Sequence, residues 1–147
     1  MATFADTTAL AQRPPADLAL VSLPSESTLS RLVWSTLVTL DNANRTGRYD
    51  VLYQLGSPGF QRRNPVETLS TTFAPLREGR VDVGRVLLQT PRYYTPPAIL
   101  PDGTLRLRGG FGERPRTIRF DLVYRRIEGG WRIDALSVVD MEADAPR

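Results

Sequence analysis

The side chains in this 147-residue chain that could move a proton are aspartate, glutamate and tyrosine, because histidine, cysteine and lysine are all absent. No histidine can serve as a base near neutral pH, and no serine–histidine–aspartate triad can form. Thiolate nucleophiles, iron–sulfur ligation and Schiff bases are removed with them. A metal would find only carboxylates and carbonyl-type oxygens, so no metal site and no cofactor is expected. Asp121 and Asp134 are the carboxylates well inside strands, but alternation places both on an outer face among arginines, where structural pairing is the simpler role. Asp50, Glu67 and Asp82 stand near element ends and could reach a pocket rim, although Glu67 has a capping explanation.

The glycine-rich segments carry less. Gly109-Gly110-Phe111-Gly112 opens no helix and lacks a phosphate-loop lysine, so a bend or bulge at a strand end is expected there. Gly56-Ser57-Pro58-Gly59 lacks the spacing of a nucleophile elbow and reads as a turn. Asn44-Arg45-Thr46 matches a glycosylation acceptor, but its place at a helix end suits capping. The aromatic set Trp34, Tyr53, Phe60, Phe73, Phe111, Phe120, Tyr124 and Trp131 either fills the core or lines an apolar ligand cavity, with Tyr53 and Tyr124 nearest its mouth.

The elements that must position these groups follow from periodicity. Leu29, Leu32, Val33, Leu37 and Leu40 recur at helical spacing between serine N-caps and Gly47. A short helix is expected from Tyr49 to Gln54, and a third from Asn64-Pro65-Val66-Glu67, ended or kinked by Pro75. After Gly79 the period becomes alternating. Strands are expected near 81–90, 94–100, 104–111, 116–126 and 131–140, with turns at Asp102-Gly103, Glu113 to Pro115 and Gly129-Gly130. Pro96 and Pro97 make the second an edge or bulged strand. Ile118, Phe120, Leu122 and Tyr124 share one face; Trp131, Ile133, Ala135 and Val139 share another, opposite Arg132, Asp134, Leu136, Val138 and Asp140. Helices followed by a meander give an α+β domain over 25–141, after a flexible arm at 1–24 and before a tail at 142–147.

All 19 basic residues are arginines, set against 16 acids, and they alternate with acids apart from Arg62-Arg63 and Arg125-Arg126. Nucleic-acid binding is not expected from that distribution. No apolar run reaches the roughly 18 residues of a membrane span. The chain is expected to be soluble, with the compartment left open between cytoplasmic and, if an upstream signal was trimmed, exported (periplasmic), since Ala9-Leu10-Ala11 resembles the small-residue end of one.

The long first helix, the Thr46-Gly47-Arg48-Tyr49-Asp50 break and the closing pair Arg119-Phe120-Asp121-Leu122-Val123-Tyr124 and Gly130-Trp131-Arg132-Ile133-Asp134 resemble the nuclear transport factor 2-like, or cystatin-like, superfamily over about 25–140. The resemblance implies helices packed on the concave face of a curved, mainly antiparallel sheet, with a cone-like cavity between them and dimers formed through the outer sheet face. Ketosteroid-isomerase-like enzymes of this type use an aspartate base and a tyrosine, a set that cannot be placed on this sequence. The outer face, with Arg106, Arg108, Arg119, Asp121, Arg125, Arg132 and Asp134 among Val123, Leu136 and Val138, is expected to be a homodimer interface. The leading expectation is a non-catalytic domain binding a small apolar or amphipathic molecule, or a peptide. The alternative is a cofactor-free isomerase, dehydratase or cyclase.

Overall fold

The computed structural model describes residues 22–87, 89–112 and 116–142. The proposed arm up to residue 21, the Glu113–Pro115 turn and the tail beyond 142 lie outside these residues. Helix α1 spans Glu26–Thr46: the Ser25 hydroxyl accepts from the Thr28 amide, Glu26 sits in the first turn, and Gly47 closes the helix in the left-handed region at φ 73°. Its stripe Leu29, Val33, Leu37 and Leu40 is buried. Helix α2 (Asp50–Gln54) follows, then α3 (Pro58–Arg63), α4 (Val66–Thr72) and α5 (Ala74–Glu78).

Helix α3 corrects the expected turn. Ser57 is its N-cap, accepting from the Phe60 amide at 3.1 Å, and Pro58 occupies the first turn, where its missing N–H costs nothing. In consequence Asn64 caps the C-terminus of α3 instead of starting the next helix, and Pro65 stands at the α4 N-cap with no side-chain cap. Pro75 breaks the helix as expected, opening α5.

Arg80 ends α5 at φ 51°, with its neighbour's amide, Val81 N, bonded back to Leu76 O at 3.0 Å. A residue carrying a Cβ is strained in this region and glycine is not. Arg80→Gly is expected to stabilise the fold by about 0.5–1 kcal/mol, seen as a higher urea midpoint at unchanged slope.

The expected strand at 81–90 is not formed: Val83–Val86 is a 3₁₀ turn that buries both valines against the core. Valines three apart stack on one side of a three-residue turn, a spacing that alternation misreads. The expected strand at 94–100 shrinks to β2 (Ala98–Ile99), after Pro96-Pro97, and a further short strand, β1 (Arg92–Tyr93), lies just before the expected range. Both pair with β3 (Leu105–Phe111), which pairs with β4 (Arg116–Ile127), which pairs with β5 (Gly130–Glu142), all antiparallel. The chain is thus α+β, with a five-stranded open sheet. No described helix is long and apolar enough to cross a membrane.

The β4–β5 turn is Glu128-Gly129, both at positive φ (49° and 80°), so Gly130 already belongs to β5. Gly109 and Gly110 lie within regular β3 pairing and not at a bulge. A Cβ on Gly109 would stand 2.2 Å from the Arg92 carbonyl oxygen, so glycine is what lets β1 close on β3 there.

The bulge lies elsewhere. Val123 pairs with Ala135 but Tyr124 pairs with Ile133, leaving Asp134 as the extra residue. The face assignment therefore slips by one beyond it: Leu136 and Val138 turn inward with Ile133, while Ala135 and Val139 turn outward. This reverses the expected faces for the second half of β5.

Candidate functional site

The inner face of the sheet packs on α1. Tyr124 is buried there, its hydroxyl 2.7 Å from Thr36 Oγ1 and 3.1 Å from the Leu32 carbonyl, to which Thr36 also donates at 2.8 Å. Either ordering of the two protons satisfies both hydroxyls. Burial pushes the Tyr124 hydroxyl well above the ordinary tyrosine value, Thr36 opposes this, and nearby Tyr93 adds to it. A raised folded pKa means that its contribution is complete below about pH 10 and lost as pH rises further. Tyr124→Phe should accordingly flatten the loss of stability above pH 10 in urea titrations, whereas an unchanged alkaline limb would place its cause elsewhere.

The other expected pocket residues divide into two groups. Phe60, Phe73, Phe111 and Phe120 are buried in the core, and Trp34, Tyr53 and Trp131 are partly buried against it. Phe111 and Phe120 lie 5.7 Å apart between ring centroids, and Tyr93 meets Phe120 edge-on at 6.3 Å. Phe73 stacks instead on Tyr49, and Trp34 Nε1 donates to Gln89 O at 2.8 Å. The structure therefore gathers Phe111, Phe120, Tyr124 and Trp131 on the inner sheet face and distributes the remainder among the helices.

Two inner-face residues went unnoticed in the sequence. Arg126 follows Tyr124 at the next inward position of β4, and its guanidinium lies 5.3 Å from the Trp131 ring centroid. Its Nε–H is buried without a hydrogen-bond partner, and so is the Tyr93 hydroxyl. Burial raises the Tyr93 pKa, Ser30 beside it lowers it, and the Glu26 charge raises it. Arg126 was detectable as a charge at an apolar phase position (118, 120, 122, 124, 126). Tyr93 gave no signal, because its strand is two residues long.

On the outer face Arg106 binds Asp121 through Nε at 3.0 Å and Nη2 at 2.7 Å, with Arg108 at 3.6 Å. Arg125 reaches Asp134 through two bonds of 3.3 Å, and Ser57 donates to Asp134 Oδ1 at 2.6 Å. Both strand aspartates are therefore tied to arginine, as alternation indicates. Arg119 lies over Tyr94, 5.3 Å from its ring centroid. Asp50 and Glu67 are exposed on helix first turns, and Asp82 is exposed ahead of the 3₁₀ turn. Among the described residues no group of three or more acidic side chains could hold a metal ion. Compared with protein-family models, curated proteins and solved structures, the chain finds no match.

Proposed function

We propose that this protein is a non-catalytic binding domain of the cystatin-like, cone-shaped type, taking a small amphipathic molecule, or a peptide with such an end, between its helices and the inner sheet face. The observation that carries this reading is the buried, unpartnered Arg126 Nε–H beside the Trp131 ring, with a second unpartnered group, the Tyr93 hydroxyl, further along the same largely apolar and aromatic face at the level of Phe120. A buried donor left without an acceptor costs about 1–3 kcal/mol, so it calls for one. Arg126 Nε–H can only donate and is cationic, and the Tyr93 hydroxyl can donate as well as accept. The complementary ligand has an anionic or carbonyl head and an apolar body to lie against Trp131, Phe111 and Phe120.

Catalysis by a tyrosine and a carboxylate has less behind it. The Tyr124 hydroxyl is fully engaged with Thr36 and Leu32. Asp121 and Asp134 face outward and are neutralised by arginines. The inner strand positions described carry one aspartate, Asp140, 3.7 Å from Arg85.

The probe is decanoate, titrated below its micellar concentration into a Trp34→Phe background so that Trp131 alone reports. Saturable fluorescence change is expected, weakened about ten-fold or more by Arg126→Gln, since a charge-assisted hydrogen bond is worth about 1.5–3 kcal/mol. Absence of saturation would defeat the reading.

Self-association through the outer face belongs to the same proposal. With Leu136 and Val138 turned inward, its large apolar groups are Tyr94, Val139 and Met141, exposed by 49%, 43% and 38%. Light scattering should give a dimer that Val139→Asp converts to monomer; a wild-type monomer at micromolar concentration would remove this part.

A further inference from the structure

A second, chemically different site lies on the flank of α1 that faces the 3₁₀ turn, in a groove of about 360 Å³ between α1 and the segment running out of α5. Asp41 is its anchor. This residue is only 7% exposed, yet its carboxylate accepts no hydrogen bond among the described residues, and its ion-pair contact, Arg45 Nη1, is 4.0 Å away. Gly84 lets the opposite wall come close: a Cβ there would stand 2.7 Å from Asp41 Oδ2. The residue is largely covered, but its carboxylate oxygens face the groove, where they can meet a cationic group.

One helical turn further on, Asn44 lines the same groove, and its amide orientation is fixed by a relay. Arg77 Nη1 donates to the Ser70 carbonyl at 2.7 Å and to the Tyr49 hydroxyl at 2.6 Å. Tyr49 must then spend its proton on Asn44 Oδ1. This leaves Asn44 Nδ2 as the free end, and it is buried without a partner. A groove-facing carboxylate and a buried unpartnered donor thus stand three residues apart on one helix face.

The surrounding charges narrow the ligand. Arg45 and Arg80 stand at the rim with Asp82. A simple cation would be repelled by these arginines and a simple anion by Asp41, whereas a molecule bearing both charges suits the arrangement. Leu76 and Val81 supply an apolar wall. We infer that this groove binds a free α-amino acid with an apolar side chain: the ammonium on Asp41, the carboxylate on Asn44 Nδ2 and the rim arginines, the side chain against Leu76 and Val81. None of these residues belongs to the inner-face site, so the two inferences stand separately.

The test is isothermal titration of the full chain with L-leucine and L-methionine, with N-acetyl-L-leucine and L-leucinamide as probes lacking one charge each. One saturating site is expected for the amino acids, with each truncated analogue weaker by about ten-fold or more. Asp41→Asn should abolish binding, Arg80→Gln should weaken it several-fold, and Arg126→Gln should leave it unchanged. No saturable heat from either amino acid up to about 10 mM, or equal binding of N-acetyl-L-leucine, would overturn the inference. So would wild-type affinity in a folded Asp41→Asn chain; should that chain not fold, wild-type affinity in Arg80→Gln would do the same.

Discussion

Replacing Phe120 by alanine is expected to remove about 3–5 kcal/mol of folding stability, the largest loss from any inner-face truncation considered. The ring is 3% exposed and central to the sheet, with Gly109 and Val138 opposite it on the neighbouring strands. Phe111 and Tyr93 contact it from two further directions. Gly109 has no side chain to fill the void, and a Cβ there would already be 3.0 Å from Phe120 Cζ, so the ring rests on backbone that cannot follow it inward. The cavity should persist, because incomplete relaxation is what separates costly truncations from tolerable ones. Domains of this size are stable by only about 5–15 kcal/mol, so the urea midpoint should fall steeply. A loss below about 1 kcal/mol would mean that the inner face is not packed as described.

Asp134→Ala should cost about 2–3 kcal/mol at neutral pH. Asp134 is the extra residue of the β5 bulge, and its side chain is 14% exposed. It ties β5 to two elements: α3, through Ser57 at its head and Arg63, whose Nη2 donates to the Asp134 backbone carbonyl at 2.7 Å, and β4, through Arg125. Burial on its own would raise the Asp134 pKa; the Ser57 hydrogen bond, the Arg125 bonds and charge, and the Arg63 charge outweigh it and hold the carboxyl below its ordinary value. A depressed folded pKa gives stability that is complete above the unfolded value near 4 and is lost as pH falls through the folded one. Urea titrations of the wild type and Asp134→Asn should therefore differ widely at pH 7 and converge toward pH 3. Asp102, held low chiefly by the hydrogen bonds from Thr104, also meets Arg125 at 3.8 Å, so the comparison is made in an Asp102→Asn background in which only Asp134 differs. An equal gap at both pH values would contradict the assignment.

The residues that were legible in the sequence are those where local pattern and tertiary burial agree. Helix α1 has both, since its apolar stripe and its Ser25 and Gly47 caps all state one answer. The same holds for β4, where Ile118, Phe120, Leu122 and Tyr124 are all buried. Beyond Asp134 the alternation rule fails for a specific reason: one inserted residue flips every later side chain, and nothing in Ile133-Asp134-Ala135 announces it. Helix α3 was missed because Ser57-Pro58 serves equally well as a turn and as a capped helix start. In the 81–90 segment the valine spacing is compatible with two periods, and packing of Val83 and Val86 in the core decides for the shorter turn.

The candidate sites were less legible than the fold. The aromatic set was recoverable by type, but type does not tell Phe73, stacked on Tyr49, from Phe111 beside Phe120. Asp41 was passed over because it sits beside the Asn42 to Arg45 polar run, which looks like a solvated helix end. Its burial comes from Gly84, more than 40 residues away, so no local window contains it.

The central claim is that the inner sheet face holds an amphipathic ligand by the donors of Tyr93 and Arg126. Amide and side-chain NMR shifts of the labelled protein during decanoate titration test it most directly. The account predicts that the Arg126 Nε–H and Trp131 indole signals move together with the backbone of β4 and Tyr93, saturating at one ligand per chain. Shifts confined to the outer face around Tyr94 and Val139, or no saturable shift, would contradict it.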